Sequence, residues 1–319
     1  MLRALLIYLS RAGWARRFVQ SWAVARRMAA RFVAGDTLEE AVQVVQNLNQ
    51  RGITATLDHL GEHVRSREEA RRAAEEILEI IDRLDREQAA CGVSIKLSQL
   101  GLDLDLAFCR DLVVAILERA KTSGIFLRID MEESRVTEQT LDLFRQVRNQ
   151  GFEDFVGIVL QSYLYRSEED LRKLLQVGSK VRLCKGAYRE PPEVAYPKKR
   201  DVDKNFDHLT RLLLDASLAR ESRISDDGVF PPIPAIATHD EQRIHFARQY
   251  AGEIDLPSTG MEFQMLYGIR SDLQEHLTAE GYPVRVYVPY GTEWYPYFVR
   301  RLAERPANLW FFLSIYFRG

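Results

Sequence analysis

A parallel (β/α)8 barrel is the fold that this sequence predicts, and three observations support the prediction. Eight short β-branched or aliphatic segments recur along the chain, and charged amphipathic segments with a helical period separate most of them. Polar residues gather at the carboxyl ends of these predicted strands, where barrel enzymes place their sites. No G-x-G-x-x-G follows a strand, which disfavours a doubly wound dinucleotide-binding sheet.

The predicted strands follow one another in a regular order. They are GITATLD (52–58), GVSIKLS (92–98), IFLRIDM (125–131), VGIVLQS (156–162), KVRLCKGAY (180–188), PAIATHD (234–240), MEFQMLYG (261–268) and VRVYVPYG (284–291). A glycine is expected to end the helix before several of them, at Gly52, Gly92, Gly124 and Gly151. Strands alternating with helices in this way predict parallel pairing and crossover helices.

The composition bounds the class of protein. The chain has 319 residues, of which 46% are hydrophobic, so it can bury a large core. Its formal net charge of -2 argues against a nucleic-acid-binding protein, whose affinity would come from a basic surface. The three cysteines show no paired spacing and indicate a reducing, cytoplasmic location. No apolar run approaches the roughly 20 residues that a membrane-spanning helix requires.

The amino-terminal segment differs from the rest of the chain in charge. Residues 1–35 contain seven arginines and no acidic residue. We therefore predict a basic helical arm over residues 1–45 and a catalytic barrel domain over residues 46–319. The arm either packs on the barrel or presents a basic amphipathic face to anionic lipid, and a transit peptide is a third interpretation. Two polar segments, 189–204 and 221–233, are predicted to be long surface loops.

Side chains suited to chemistry lie at the ends of the predicted strands. They are Asp58, Lys96 with Ser98, Asp130, Gln161, Arg182 with Lys185, Thr238 with His239, Glu262 with Gln264, and Tyr287. A lysine desolvated in a barrel mouth can attack a carbonyl, so a Schiff-base aldolase using Lys96 or Lys185 is an open alternative. A metal site is not predicted, because His59 and His63 follow the first strand in a turn-like segment and are interpreted as surface histidines.

A short helix is predicted in PYGTEWYPYFVRRLAERPAN (289–308), with Pro296 in its first turn. The positions i, i+3, i+4 and i+7 on one face of this helix belong to Tyr297, Arg300, Arg301 and Glu304. Adjacent arginines beside aromatic rings are suited to hold a carboxylate, with the glutamate directing them. A salt-bridged surface helix is the alternative, but the position after the eighth strand favours a substrate site.

The sequence resembles the proline dehydrogenase family. The resemblance rests on VRVYVPYGTEWYPYFVRRLAERPAN together with SIKLSQLGLDL, RIDMEES, GIVLQSYLYR, RLCKGAYREP, ATHD and EFQMLYGIR, which occur in that family's order over nearly the whole chain. It implies a distorted (β/α)8 barrel with additional amino-terminal helices. It also implies FAD-dependent oxidation of L-proline to Δ1-pyrroline-5-carboxylate, by hydride transfer from proline C5 to flavin N5.

The resemblance implies a role for individual residues on the proline side of the site. The implied substrate-binding residues are Lys96, Leu266, Tyr287, Tyr297, Arg300 and Arg301. The arginine pair and Lys96 would hold the proline carboxylate, and the two tyrosines would wall the ring. Tyr297 would also limit the room for a 4-hydroxyl group.

The flavin side is implied in the same way. Asp130 and Arg182 would be the catalytic positions, with Arg182 near flavin N5. The implied cofactor-binding residues are Met131, Gln161, Arg182, Lys185, Gly186, Ala187, Thr238, His239 and Glu304, the last of which would also orient the arginine pair. Electrons would pass to a membrane quinone, so the basic arm would serve as a peripheral contact on the inner face of the cell membrane.

Cys184 stands in RLCKGAY where an aliphatic residue is expected, which concerns packing and leaves the motif intact. A non-catalytic binder of an amino-acid carboxylate is the alternative from a different class. The presence of both a flavin-side cluster and a carboxylate clamp disfavours it. The sequence does not specify an oligomeric state or identify the group that accepts the amine proton of proline.

Overall fold

Eight parallel strands close into a barrel. The computed structural model describes the backbone of residues 29–61 and 63–304, and the side chains of this range up to residue 299. The strands are β1 (Thr54–His59), β2 (Cys91–Ile95), β3 (Leu127–Ile129), β4 (Val156–Gln161), β5 (Lys180–Cys184), β6 (Pro234–Ala237), β7 (Glu262–Leu266) and β8 (Val284–Tyr290). Each strand pairs with the next, and β8 pairs with β1 from Thr54↔Arg285 to His59↔Tyr290. The predicted (β/α)8 barrel is confirmed.

Helices connect the strands in the expected alternation. They are α1 (Leu38–Asn49), α2 (Arg67–Glu87), α3 (Leu106–Thr122), α4 (Thr137–Val147), α5 (Ser167–Gln176), α6 (Lys199–Ala219), α7 (Glu241–Glu253), α8 (Ser271–Ala279) and α9 (Trp294–Glu304). Local capping explains several starts, since Thr37 forms a capping box with Glu40, and Ser66, Asp105 and Asp240 accept hydrogen bonds from first-turn amides. Among the described residues, no helix is both long and apolar enough to cross a membrane.

The first and last described helices differ in how they lie against the barrel. Helix α1 packs against β1 and β8, on the outside of the barrel where the helix after the eighth strand would otherwise lie. Helix α9 instead reaches the cavity at the mouth, which Tyr297 lines. Phe32 packs against Phe298 of α9, with ring centroids 6.4 Å apart. The predicted boundary between residues 45 and 46 falls inside α1, and residues 1–28 of the predicted arm lie outside the described part.

One predicted helix end and the length of one predicted loop are wrong. Gly92 does not end a helix but lies in β2, and Gln88 takes the left-handed conformation at the end of α2, with a φ of 49°. An added Cβ at Gly92 would lie 2.8 Å from the carbonyl oxygen of Phe126, so close backbone approach explains this glycine. The predicted loop 189–204 is shorter than expected, because α6 already begins at Lys199.

The barrel interior is polar and layered. Alternate residues of each strand point inward, and the layer nearest the amino ends of the strands contains the buried ion pair between Arg285 and Glu262, with nitrogen–oxygen distances of 3.0–3.1 Å. Glu262 was predicted at a strand end, but it is the first residue of β7. It is therefore a structural partner of Arg285. Gln264, two residues later, is the member of that pair which lines the mouth.

Candidate active site

A cavity of about 480 Å³ opens at the carboxyl ends of the strands. Its volume lies in the range of small-molecule sites. All the residues to which the family resemblance assigns a role, and whose side chains are described, line it: Lys96, Asp130, Met131, Gln161, Arg182, Lys185, Gly186, Ala187, Thr238, His239, Leu266, Tyr287 and Tyr297. Residues that are distant in sequence thus meet in one place, as the carboxyl ends of parallel strands require.

Asp130 is the centre of a buried polar cluster on the cavity floor. Its Oδ1 accepts a hydrogen bond from Arg182 Nη1 at 2.9 Å, and its Oδ2 accepts one from the Tyr287 hydroxyl at 2.8 Å. Arg182 also donates to Gln264 and, at 3.2 Å, to Ser94 Oγ. The guanidinium lies 5.3 Å from the centroid of the Tyr287 ring. The guanidinium and the phenol are therefore fixed in direction before any ligand binds.

Lys96 joins this cluster to Asp58. Its Nζ donates to Asp58 Oδ1 at 2.5 Å and to the Tyr287 hydroxyl at 3.3 Å, and it lies 3.7 Å from Asp130 Oδ2. Burial raises the pKa of Asp58 above its ordinary value, against the opposing attraction of the Lys96 ammonium. Burial and the neighbouring charges of Asp130 and Asp58 raise the pKa of Tyr287 well above its ordinary value. The phenol is therefore a neutral hydrogen-bond donor.

Lys185 stands on the opposite wall of the cavity. Its Nζ donates to Asp203 Oδ1 at 2.5 Å and to Asp240 Oδ2 at 2.6 Å. Burial is the largest single influence on both carboxyls and opposes their ionisation, but the hydrogen bonds and attraction from Lys185 and Lys199 together outweigh it, so the pKa of each is lowered. The ammonium is thus held at the rim between α6 and α7. His239 accepts a hydrogen bond on Nε2 from the Leu266 amide at 2.9 Å, which assigns the ring proton to Nδ1.

Gly186 allows the chain after β5 to pass close to a tyrosine. Its φ is +118°, and an added Cβ would lie 2.5 Å from ring atoms of Tyr163. Both facts require glycine here. The segment Lys185–Tyr188 consequently runs along the cavity wall, which all four of its residues line.

Helix α9 contributes Tyr297, which is buried and lines the cavity. The helix runs from Trp294 to Glu304 and so includes the backbone of Arg300, Arg301 and Glu304. The side chains of these three residues lie outside the described part. Their predicted roles therefore stay predictions.

A family model decides the class of this enzyme. The model described as proline dehydrogenase matches residues 41–312, which includes every strand of the barrel and all of the cavity-lining residues.

The chain belongs to the proline dehydrogenase family.

Curated relatives and a solved structure agree with this assignment. The chain is 43% identical to proline dehydrogenase 1 of Bacillus subtilis, over 98% of each chain. It is 40% identical to the proline dehydrogenase of Deinococcus radiodurans, over 92% of this chain and 91% of that one. It resembles the crystal structure of proline utilization A (PutA) from Bdellovibrio bacteriovorus inactivated by N-propargylglycine, with a TM-score of 0.78 and 27% identity. That match covers 87% of this chain and 32% of the other.

Family membership establishes the reaction class of this proline dehydrogenase. The enzyme oxidises proline, which is the first step of proline catabolism, and the family depends on a flavin. The Schiff-base alternative is set aside, and the geometry agrees with that outcome. A nucleophilic lysine needs an available lone pair, whereas Lys96 and Lys185 both donate to carboxylates at 2.5–2.6 Å.

The residues of this proline dehydrogenase fit a flavin. Gln161 Oε1 is a buried acceptor in the cavity wall without a hydrogen-bond partner among the described residues, while Nε2 of the same amide donates to the Met131 carbonyl at 3.2 Å. An acceptor of this kind matches the ring N–H of a flavin. Apolar surface comes from Met131, Val159 and Ala237, and positive charge from Arg182 and Lys185. A flat ring with polar edges needs this combination.

Sequence reasoning left several cavity-lining residues without a role. Asp58 and Gln264 were noted at strand ends only, and Glu132 was not singled out. Ser94, which does not line the cavity but accepts a hydrogen bond from Arg182, was not singled out either. The signal for Ser94 and Gln264 was the two-residue period of their strands, which places them on the same face as Lys96 and Leu266. The signal for Glu132 was its place two residues after Asp130 in RIDMEES.

Proposed function

We propose that this proline dehydrogenase binds FAD along the β4–β7 side of the cavity and L-proline between that cofactor and the polar cluster of β1, β2, β3 and β8. The product would be Δ1-pyrroline-5-carboxylate, and a membrane quinone would accept the electrons. The proposal is supported chiefly by one observation: a single cavity has a flavin-compatible wall facing a cluster of buried charges.

Residues of the flavin side have complementary functions. Gln161 Oε1 would accept a hydrogen bond from the ring, and Lys185 would face the phosphate chain. Thr238 and His239 follow β6 at the same wall. Arg182, held by Asp130 and Gln264, would lie near the reacting edge of the ring, where a fixed positive charge favours the acceptance of electrons.

The residues on the proline side of the cavity would hold the substrate by its carboxylate, away from the reacting C5. Arg300 and Arg301 of α9 would bind the carboxylate through charge-assisted bonds, with Lys96 contributing further positive charge, and Glu304 would orient the pair. Tyr287 and Tyr297 would wall the ring, and Leu266 would contribute apolar contact. When bound, the flavin would accept the hydride that leaves C5 of proline. Holding the carboxylate therefore determines which carbon faces the cofactor.

The amine of proline must lose a proton before its lone pair can form the C=N bond. Asp58 Oδ2 is a buried acceptor in the cavity floor without a hydrogen-bond partner among the described residues, and Lys96 Nζ bonds the other oxygen of the same carboxylate at 2.5 Å. We place Asp58 at the end of a short proton path through Lys96. Lys96 would pass one of its protons to Asp58 Oδ1 and take up the amine proton in its place, so that Lys96 would stay charged and Asp58 would become the neutral acid.

This path predicts a pH-dependent defect in Asp58→Asn. The flavin of the variant should be reduced by proline about 10²-fold more slowly near neutral pH, the usual scale for loss of acid–base catalysis. The ratio of wild-type to variant rates should shrink as pH rises, because more proline then arrives with a neutral amine. In the wild type, the rate should fall as pH drops through the raised pKa of Asp58, since the acceptor must be ionised.

Rapid-mixing absorption spectroscopy over a range of pH measures these rates. Binding of cyclopentanecarboxylate, which has no amine, provides the control for the fold and the carboxylate site and should be unchanged. A ratio that stays constant with pH would assign Asp58 a structural role only.

Tyr297 should limit the size of the substrate. Replacing Tyr297 with serine opens space beside the ring, so kcat/KM for trans-4-hydroxy-L-proline relative to proline should rise about tenfold, within the range for one added group in a tight pocket. Tyr295→Ser is the matched control, because Tyr295 lies on the same helix and is 2% exposed, against 6% for Tyr297, but is not a cavity-lining residue. An unchanged ratio in Tyr297→Ser, measured by steady-state kinetics, would reject the assignment.

The proposed electron acceptor, a quinone, implies a contact between the enzyme and a membrane. A quinone resides in lipid, so the enzyme would have to meet a membrane surface. Seven arginines without an acidic residue in the first 35 positions support a reversible contact with anionic headgroups. Such a contact would be peripheral.

Release and identification of the cofactor test the proposal for FAD. The purified enzyme is denatured, and the supernatant is separated by chromatography against FAD and FMN standards. FAD in near-equimolar amount to protein is the expected result. FMN, or flavin that fails to rebind when FAD is supplied, would contradict the proposed cofactor.

A further inference from the structure

Two serine–glutamate clamps link the loops around the cavity. In the Ser98 clamp, the Ser98 amide donates to Glu132 Oε1 at 3.0 Å, and the Ser98 hydroxyl donates to Oε2. In the Ser134 clamp, the Ser134 amide donates to Glu190 Oε1 at 2.7 Å, and the Ser134 hydroxyl donates to Oε2. Each carboxylate thus accepts both donors of one serine. The two clamps therefore have the same pattern of hydrogen bonds.

The clamps form a chain that crosses the site. The loop after β3 supplies Glu132 to the loop after β2 and receives Glu190 from the loop after β5. Between them, Gln161 at the end of β4 donates from Nε2 to the Met131 carbonyl at 3.2 Å, and the amide of Tyr163 in the loop after β4 donates to the Lys185 carbonyl at 3.0 Å. Four consecutive loops of the mouth are therefore joined.

Each clamp is adjacent in sequence to a different part of the site. Ser98 is two residues after Lys96, and Glu132 is two residues after Asp130, so the Ser98 clamp joins the segments that carry the polar cluster. Glu190 is two residues after Tyr188, the last residue of the segment Lys185–Tyr188, so the Ser134 clamp anchors the wall on the opposite side.

The clamps are suited to fix direction as well as distance. Two parallel hydrogen bonds to one carboxylate prevent rotation about either hydrogen bond. Hydrogen bonds to an ionised acceptor are also stronger than those between two neutral groups. Ser98 and Glu132 are each 3% exposed, so water does not readily replace a lost bond there. Ser134 and Glu190 are half-buried.

We propose that Ser98, Glu132, Ser134 and Glu190 are positioning residues for proline oxidation, with separate effects on its two ligands. The Ser98 clamp holds Lys96 and Asp130 on the proline side. The Ser134 clamp holds Lys185–Tyr188 on the flavin side. This inference rests on the placement of flavin and proline in the proposed function.

Ser98→Ala and Ser134→Ala form a matched pair. Each removes one hydroxyl from one clamp and leaves the hydrogen bond that the backbone amide donates to the glutamate. In Ser98→Ala, kcat/KM for proline should fall about tenfold, the scale of one charge-assisted hydrogen bond, while the rate at which flavin leaves the holoenzyme stays within about twofold. In Ser134→Ala, flavin should leave about tenfold faster, with kcat/KM for proline within about twofold when flavin is in excess. Ser134→Thr keeps the hydroxyl and should restore slow release.

Steady-state kinetics with proline and the rise of flavin fluorescence on dilution of the holoenzyme measure the two quantities. If Ser98→Ala does not fold, Glu132→Gln keeps one of the two acceptors and should show the same selective loss of kcat/KM. Variants that change both quantities equally, or that lower only the melting temperature, would overturn the inference. The proposed function itself would be refuted by a different result: a wild-type enzyme that holds no flavin, or one in which proline does not bleach the bound flavin.

Discussion

Asparagine in place of Asp130 is expected to lower kcat/KM for proline by two to three orders of magnitude, roughly the cost of breaking a buried ion pair. Asp130 accepts from Arg182 at 2.9 Å and from Tyr287 at 2.8 Å, and Lys96 lies 3.7 Å away. The amide removes the charge that balances two buried cations. It can also turn N–H donors towards groups that are themselves donors.

The loss should appear mainly in the rate at which proline bleaches the flavin, because Arg182 and Tyr287 would lose their fixed directions. Asp111→Asn is the matched control on α3. Asp111 is 70% exposed and pairs with the adjacent Arg110 at 2.9 Å, so its replacement should leave the rate unchanged. A folded, flavin-loaded Asp130→Asn enzyme with the wild-type rate would show that the polar cluster has no part in the chemistry.

Replacing Arg301 with methionine is expected to raise KM for proline about 10²- to 10³-fold, with a much smaller change in kcat. Arg301 would form a charge-assisted pair with the substrate carboxylate, and methionine keeps apolar length while removing both charge and donors. An interaction made equally in the ground state and the transition state affects KM rather than kcat.

Arg200→Met on α6 is the control for the loss of one arginine, because the side chain of Arg200 is 79% exposed. It should not change KM. Visible absorption of the bound flavin, recorded before the kinetics, separates a substrate effect from loss of cofactor. An Arg301→Met enzyme with unchanged KM would remove this residue from the proposed carboxylate clamp.

The fold was predictable from the sequence because its signals are local and repeated. β-Branched segments such as VGIVLQ and VRVYVPY lie at the positions of β4 and β8, and amphipathic segments with polar outer faces lie between strands. Glycines Gly52 and Gly124 end helices in the left-handed conformation, as expected. Gly92 was misassigned because a glycine needed for close strand packing is not distinguishable, in one sequence, from a glycine that ends a helix.

Many of the residues that line the cavity were predictable from the sequence, but the hydrogen bonds among them were not. The two-residue period shows which side chains of a strand face inward, yet it does not show their height in the barrel. Glu262 and Gln264 therefore looked alike, although one pairs with Arg285 in the lower layer and the other meets Arg182 at the mouth. Likewise, the contacts of Lys96 with Asp58, and of Ser134 with Glu190, join segments 38 and 56 residues apart.

The central claim is that one cavity brings proline and a flavin together. The visible absorption spectrum of the purified enzyme, recorded without oxygen before and after addition of L-proline, tests it most directly. A flavin spectrum that bleaches on addition of proline is the predicted result. A flavin spectrum that proline leaves unchanged, or the absence of flavin even after FAD is supplied, would contradict the claim.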